Sequence, residues 1–469
     1  MKNNLQQSKK SRACLPARQG FTLIESLVLL FIFSVVSMVF LQVYVVGTKL
    51  IIDSKNRLGA VALANQKMEI IRSIDYETIG TKYWNGSGWV YGIPAGDILQ
   101  EEDISVNTRL YHVSTFVQYV DDVFDNKSPT DTIPTDYKRV RVQVSWGNAA
   151  SEKTILFGSF TPNGLEMAVA GGTLSVNVLR SNGSGVVGAT VNVRNTAGTI
   201  NVNAITDATG NVTLPGTPAG SRAYTITVSK SGYFGANTFP PYPTTSYQPV
   251  DIHASVVINT LNQFSIVMDE AVSIPIKMVS PYDQSLPDIT FNLAGGRVLG
   301  TIPTTLVKVV TLNDANRATN SNGEYTYSNQ SYGLYTLALT GTSNTNYEVY
   351  KILPETGSVA SGMDITPGST QEYKVVLLDK NIPSVKVAVT DNATSTPIAG
   401  ATVRLQNSDS TYDVTGTTDQ FGFTFFPENS TPLVAGSYTL SVSASGYINK
   451  SAAVTVGTTL VKQTISLTK

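Results

Sequence analysis

Gly20-Phe21-Thr22-Leu23-Ile24-Glu25-Ser26-Leu27-Val28 opens a segment that stays uncharged from Ser26 to Thr48, 23 residues, until Lys49 ends it. As a helix rising ~1.5 Å per residue, that run reaches about 34 Å, enough for a hydrocarbon core of ~30 Å. Upstream lie Lys2, Lys9, Lys10, Arg12 and Arg18, with no acid among them. This asymmetry predicts a cytoplasmic start and an extracytoplasmic bulk. A secretory signal has an apolar region of only ~7–15 residues ending at an Ala-x-Ala-like site, and no such site follows here. Glu25 stands four positions past Phe21, inside the apolar segment. A carboxylate costs ~2.5–3.5 kcal/mol at the centre of a membrane helix on insertion scales, and less near its end, so Glu25 calls for a partner.

The basic leader, the Gly20–Phe21 junction, Glu25 and the apolar helix together resemble the type IV prepilin family, which includes pilins and secretion pseudopilins. The resemblance implies cleavage between Gly20 and Phe21 by a prepilin peptidase at the inner membrane. It also implies N-methylation of Phe21. In the same reading, the Glu25 carboxylate pairs with the Phe21 amine of a neighbouring subunit during filament assembly. Two opposite charges in a low-dielectric filament core are each costly alone and tolerable together.

Composition narrows the function. The chain has 469 residues, 33 basic and 34 acidic side chains, and only 14% charged residues. An average soluble domain carries roughly 25%. No basic excess marks a nucleic-acid scaffold. One cysteine, Cys14, rules out an intramolecular disulfide framework, and His112 and His253 stand in no zinc-hydrolase pattern. No nucleophile elbow or phosphate loop is present, so no enzyme and no cofactor is expected. Loss of residues 1–20 would shift the net charge from −1 to −6, because they hold five basic residues and no acid.

Beyond the membrane segment the helix continues. Leu58, Val61, Ala64, Met68 and Ile71 recur at helical steps, with Lys55, Arg57, Lys67, Glu69 and Arg72 on other faces. That stripe faces either the head's own sheet or neighbouring subunits. Ala64 to Arg72 is similar to helices of minor pilins. Past Gly80 the pattern turns to β. Asn85-Gly86 and Ser87-Gly88, between aromatic residues, read as a tight turn. Ser105 to Val120 reads as a strand. Tyr137 to Trp146 alternates, with Val140, Val142 and Val144 on one face. Thr154 to Phe160 closes the set. Between them Asp121, Asp122, Asp125, Asn126, Asp131 and Asp136 supply oxygen ligands that could hold calcium, although their spacing is not that of an EF-hand and turns favour the same residues.

From Gly171-Gly172 the texture becomes rich in Thr, Val, Ser and Gly, and it repeats. Gly188-Ala189-Thr190-Val191 returns as Gly400-Ala401-Thr402-Val403, and Asp207-Ala208-Thr209-Gly210 as Asp419-Gln420-Phe421-Gly422. A degenerate copy lies between them, with Pro287 to Phe291, Asn320-Ser321-Asn322-Gly323 and Gly333 to Leu337, and an insertion near 295–315. A period near 100 residues means tandem domains rather than a solenoid. About seven short strands in that length suggest a β-sandwich. The Gly-Ala-Thr-Val, Asp-x-x-Gly and Ser-x-x-Gly-Tyr series resembles carboxypeptidase regulatory-like, transthyretin-like domains, which brings no catalysis. The loop after Gly232 concentrates Phe234, Phe239, Tyr242 and Tyr247 among prolines. It is a candidate binding loop, or the cover of a sandwich edge.

The expected architecture is an α+β pilin head with a long N-terminal transmembrane helix, followed by three all-β Ig/transthyretin-like sandwich modules. The segments are a leader at 1–20, a helix at 21–79 with its membrane part at about 21–52, a head at 80–170, and modules at 171–270, 271–380 and 381–469. The expected role is a minor or tip subunit of a type IV surface filament, displaying its modules for adhesion to a surface ligand or protein. Its partners would be other pilin subunits through the helix, the peptidase and the inner membrane. A pseudopilin of a type II secretion or DNA-uptake machine and an uncleaved single-pass surface protein are the alternatives.

Overall fold

A computed structural model describes the chain except residues 1–21, 125, 127–129, 132, 148–150, 164–168 and 358. It divides into two compact units. One comprises Met1–Ser73, Glu101–Thr115 and Arg141–Phe157; the other comprises Ile74–Gln100, Phe116–Val140 and Gly158–Lys469.

The first unit is organised by α1, Leu23–Arg72, 50 residues long. Thr22 caps its start, with Oγ1 accepting the Glu25 amide at 3.3 Å. At the far end the Ser73 amide donates to the Glu69 and Ile70 carbonyls. The helix therefore stops before 79, and Tyr76–Thr78 form a separate 3₁₀ turn. Ala60, Leu63, Ala64, Met68 and Ile71 are buried, at the three- and four-residue steps of one helix face. Leu58 and Val61 are exposed, so the inward stripe is shifted from the expected one. The same unit buries Tyr111, Val113, Val142 and Val144 at alternate strand positions. Tyr111 joins the two layers, donating from its hydroxyl to the Asn56 carbonyl at 3.1 Å. Lys67 and Glu102 form an ion pair across them.

The expected strand from Ser105 to Val120 is in fact the end of one strand, a turn and a second strand. Glu101–Val106 pairs antiparallel with Arg109–Val120, and Asn107 and Thr108 make the turn at φ of 49° and 65°. Both central residues have positive φ, as a type I′ hairpin needs, but without the glycine that usually announces it. Tyr137–Ser145 and Lys153–Phe160 complete the four-stranded order.

In the second unit, Lys138 is buried and donates from Nζ to the Tyr76 carbonyl at 2.7 Å. Burial pulls its pKa down to about 8, with nearby Glu77 acting the other way.

Three β-sandwiches follow, each built from two sheets closing on one core. Their first and last strands pair in parallel: Gly172–Leu179 with Leu261–Val267, Val272–Val279 with Tyr373–Asp379, and Ser384–Asp391 with Leu460–Leu467. In the first module Leu174, Val176 and Val178 of one sheet meet Val191, Val193, Ile226 and Val228 of the other. In the third, Val385, Val387 and Val389 meet Val403, Leu405, Leu440 and Val442.

The repeat is one of bonds as well as letters. Val178, Met278 and Val389 each donate their amide to the carbonyl of a turn glycine, Gly210, Gly323 and Gly422, all at 2.8 Å. Those glycines have φ of 82°, 74° and 73°, and an added Cβ would fall 2.6–2.8 Å from the facing carbonyl oxygen. The side chains of Asp207, Asn320 and Asp419 close the same turns from inside. The hydroxyls of Thr206, Thr319 and Thr418 accept the amides of Ala189, Ile289 and Ala401. Tyr224, Tyr335 and Tyr438 each donate from the phenol to a backbone carbonyl four or six residues upstream. The middle copy keeps these bonds with altered letters: Asp288, at φ 55°, stands where Gly188 and Gly400 stand at 70° and 72°. Its insertion is a long hairpin, Thr290–Thr301 paired with Lys308–Ala318, bulged around Gly295 and Gly296.

Candidate functional site

The apolar half of α1 is the first candidate. From Leu23 to Ile52 every large apolar side chain stands exposed, Leu23 by 80% and Phe40 by 71%. The helix is long and apolar enough to cross a membrane. Glu25 lies in its first turn, exposed, where the N-terminal end of the helix dipole favours a carboxylate. Gly20 and Phe21 lie outside the described residues.

The acidic loop uses its carboxylates on its own backbone. Asp136 Oδ2 accepts the Asp122 amide at 2.5 Å, Asp122 Oδ1 that of Phe124 at 2.8 Å, and Asp131 Oδ1 that of Ile133 at 2.8 Å. Asp121 is partly buried beside them, and Asp125 lies outside the described residues. Among the described residues, no three His, Cys, Asp or Glu side chains converge as a metal site would require.

The aromatic loop of the first module turns onto the second. Gln248–Pro249 pairs antiparallel with Gly300 and Thr301 in the inserted hairpin, and the Val250 amide donates to the Leu299 carbonyl at 2.9 Å. A Cβ on Gly300 would stand 2.3 Å from the Gln248 carbonyl oxygen, so glycine permits this approach. Phe239 and Tyr247 meet edge to face at 5.9 Å, and burial raises the Tyr247 pKa. Phe234 and Phe239 line a cavity of about 220 Å³ with Asn237, Arg297, Leu299 and Thr311. Tyr242 is exposed. The structure thus brings Phe234, Phe239 and Tyr247 to the junction of two modules and leaves Tyr242 outside.

The residue that organises this junction has no motif around it. Arg297 pairs with Asp251 and donates to the Val267 carbonyl at 2.6 Å. Burial raises the Asp251 pKa, while Arg297 acts to lower it. An adjoining cleft of about 470 Å³ has Gly295, Gly296, Val298, Val310 and Leu334 among its walls. The second and third modules are clasped differently. Val279, Tyr350, Val376 and Leu378 are packed against by Phe423, Phe425 and Leu460, and Lys386 donates to Glu348 at 2.8 Å. The one sequence signal for the first clasp is an arginine directly after two glycines in the insertion.

The family model of the carboxypeptidase regulatory-like domain matches residues 173–255, within the first module. No curated protein matches the chain. Among solved structures, the chain is similar to the Bacillus anthracis TIE protein at 13% identity, over 85% of this chain and 74% of that one, with a TM-score of 0.20. It is similar to a streptococcal ancillary pilin at 13% identity over 64% and 98%, with a TM-score of 0.18. For BcpA, the major pilin subunit of Bacillus cereus, the values are 13%, 64%, 99% and 0.16.

Proposed function

We propose that the chain is a type IV pilin-like minor or tip subunit, held in the inner membrane as a precursor and displayed in a surface filament after cleavage. The observation that carries this reading is the exposed apolar half of α1, with Glu25 in its first turn directly after the Gly20–Phe21 junction. A helical segment whose apolar residues all face outward, as from Leu23 to Ile52, needs lipid before assembly and apolar neighbours after it. In that neighbourhood the Glu25 carboxylate meets the amine freed at Phe21 on an adjacent subunit. The three sandwiches then extend as a displayed array; three extra domains on every subunit would crowd a filament, which favours a minor or terminal position.

Mass spectrometry of the mature amino terminus tests processing. A chain starting at N-methylated Phe21 is expected; a chain retaining residues 1–20 in purified surface material overturns the reading. Immunolabelling with antibodies against residues 381–469 tests display. Label on sheared filaments is expected, and label confined to the cell envelope favours the secretion pseudopilin instead.

A further inference from the structure

The small sheet following the helix presents an aromatic face that stays largely exposed among the described residues. Trp89–Tyr91 pairs antiparallel with Thr81–Trp84, which pairs in parallel with Ile98–Leu99. Lys82 lies opposite Tyr91 and beside Leu99, and Trp84 lies opposite Trp89. Alternation therefore puts Lys82, Trp84, Trp89, Tyr91 and Leu99 on one face. Trp84 is 56% exposed, Trp89 42%, and Tyr91 and Leu99 37% each. The other face is anchored: Val90 is buried, and Asn201 donates from its side-chain Nδ2 to the Tyr83 hydroxyl at 3.3 Å. The edge at Trp89–Tyr91 is engaged as well, since the Tyr91 amide donates to the Thr199 carbonyl at 2.8 Å.

The platform is held in shape. Asn85 Oδ1 accepts the amides of Ser87 and Gly88, both at 2.9 Å, and Gly86 takes φ 96°. The two indoles meet edge to face at 5.5 Å and 72°, giving an L-shaped wall of two rings. Lys82 Nζ stands 4.7 Å from the Trp89 ring centroid and 2.7 Å from Asp97 Oδ1. The two charges on this surface thus neutralise each other. Burying large aromatic surface is favourable, so leaving three such rings in water beside one ion pair is unusual for a face with no ligand.

We propose that this face is a binding site for a neutral oligosaccharide. The apolar C–H face of a pyranose stacks on an indole, and the perpendicular ring gives that sugar a side wall. Lys82 and Asp97, already paired, offer a donor and an acceptor for hydroxyls at the ring edge. A phosphorylated or sulfated ligand would need uncompensated cations, and the ion pair provides none. A peptide adding a strand beside the two indoles would need the Trp89–Tyr91 edge, where Tyr91 already bonds Thr199. The proposal stands whether or not the chain enters a filament.

The test uses the full chain in lauryldimethylamine oxide, a detergent without sugar, titrated separately with chitohexaose, cellohexaose and maltohexaose. Tryptophan emission is the readout, because Trp146, the third tryptophan, is buried. At least one probe is expected to give a saturable blue shift, weakened about tenfold or more in Trp84→Ala and in Trp89→Ala. Trp89→Phe is expected to retain part of the affinity, with thermal unfolding unchanged in all three variants. No saturable shift with any probe up to about 10 mM overturns the site. So does an affinity in both alanine variants equal to that of the native chain. Tighter binding of a sulfated hexasaccharide, lost in Lys82→Gln, would also overturn it.

Discussion

The two halves of α1 are one continuous helix, and each has a three- to four-residue supply of apolar side chains. From Leu23 to Ile52 those side chains all face outward. From Ala60 to Ile71 one face is buried within the chain's own unit and the opposite face, with Leu58, stays exposed. The second half is satisfied by the fold. The first half is satisfied only by something outside it. In the proposed function, anchoring and assembly belong to residues 23–52, while the folding of the first unit rests on residues 56–71.

The most severe way to break this division is Glu25→Ala. Sheared surface material is expected to contain none of this variant, while membrane fractions hold it at normal levels. Normal incorporation would show that the first half needs only apolar surface. Met68→Ala comes next. Met68 is 1% exposed, and truncating a buried side chain of this size costs about 2–5 kcal/mol. Leu58→Ala, ten residues earlier, is expected to stay within about 0.5 kcal/mol. Urea denaturation followed by circular dichroism measures both, and equal effects would erase the distinction between the faces.

The two helix glycines sharpen it further. Nothing lies within 4 Å of a Cβ added to Gly47, whereas one added to Gly59 would fall 2.4 Å from the Tyr111 hydroxyl oxygen. Gly47→Ala is expected to raise helix stability by about 1 kcal/mol on propensity. Gly59→Ala makes the same helical gain but displaces a buried phenol, and a net loss of about 1 kcal/mol is expected. Thermal unfolding of both variants checks the opposite signs.

The smallest effect is one of pH and belongs to the second half's unit alone. His112 stands 2.8 Å from Asp103 Oδ1 through Nδ1 and 2.8 Å from Glu101 Oε2 through Nε2. The hydrogen bond to Asp103 is the largest influence and raises its pKa above 6.5; burial acts the other way, and the Glu101 charge adds to the rise. The protonated ring is therefore favoured by folding. Its contribution is complete below 6.5 and fades as pH rises through the raised value. Unfolding midpoints across pH 5 to 8 should fall slightly in the native chain and stay flatter in His112→Gln; identical profiles would remove the contribution.

Local regularities made much of this molecule readable before folding. The uncharged run predicts a spanning helix because helix length and bilayer thickness are set by the same backbone rise. The glycines at 210, 323 and 422 predict turns because only a residue without Cβ fits there, and in the middle module the turn survives although its aspartate has become Asn320. The hairpin at Asn107-Thr108 was not readable, because its positive φ values fall on residues that can also continue a strand.

What the sequence by itself determined is whatever depends on neighbours along the chain: the apolar helix, the β period, the turn residues and the count of three modules. The tertiary structure alone decided the pairings between distant residues. It turned the aromatic loop onto the inserted hairpin, matched Asp251 with Arg297 across 46 positions, and left Trp84 and Trp89 outward while Val90 between them went in. Such pairings depend on which surfaces remain unburied after each sandwich has closed, and no local pattern encodes that.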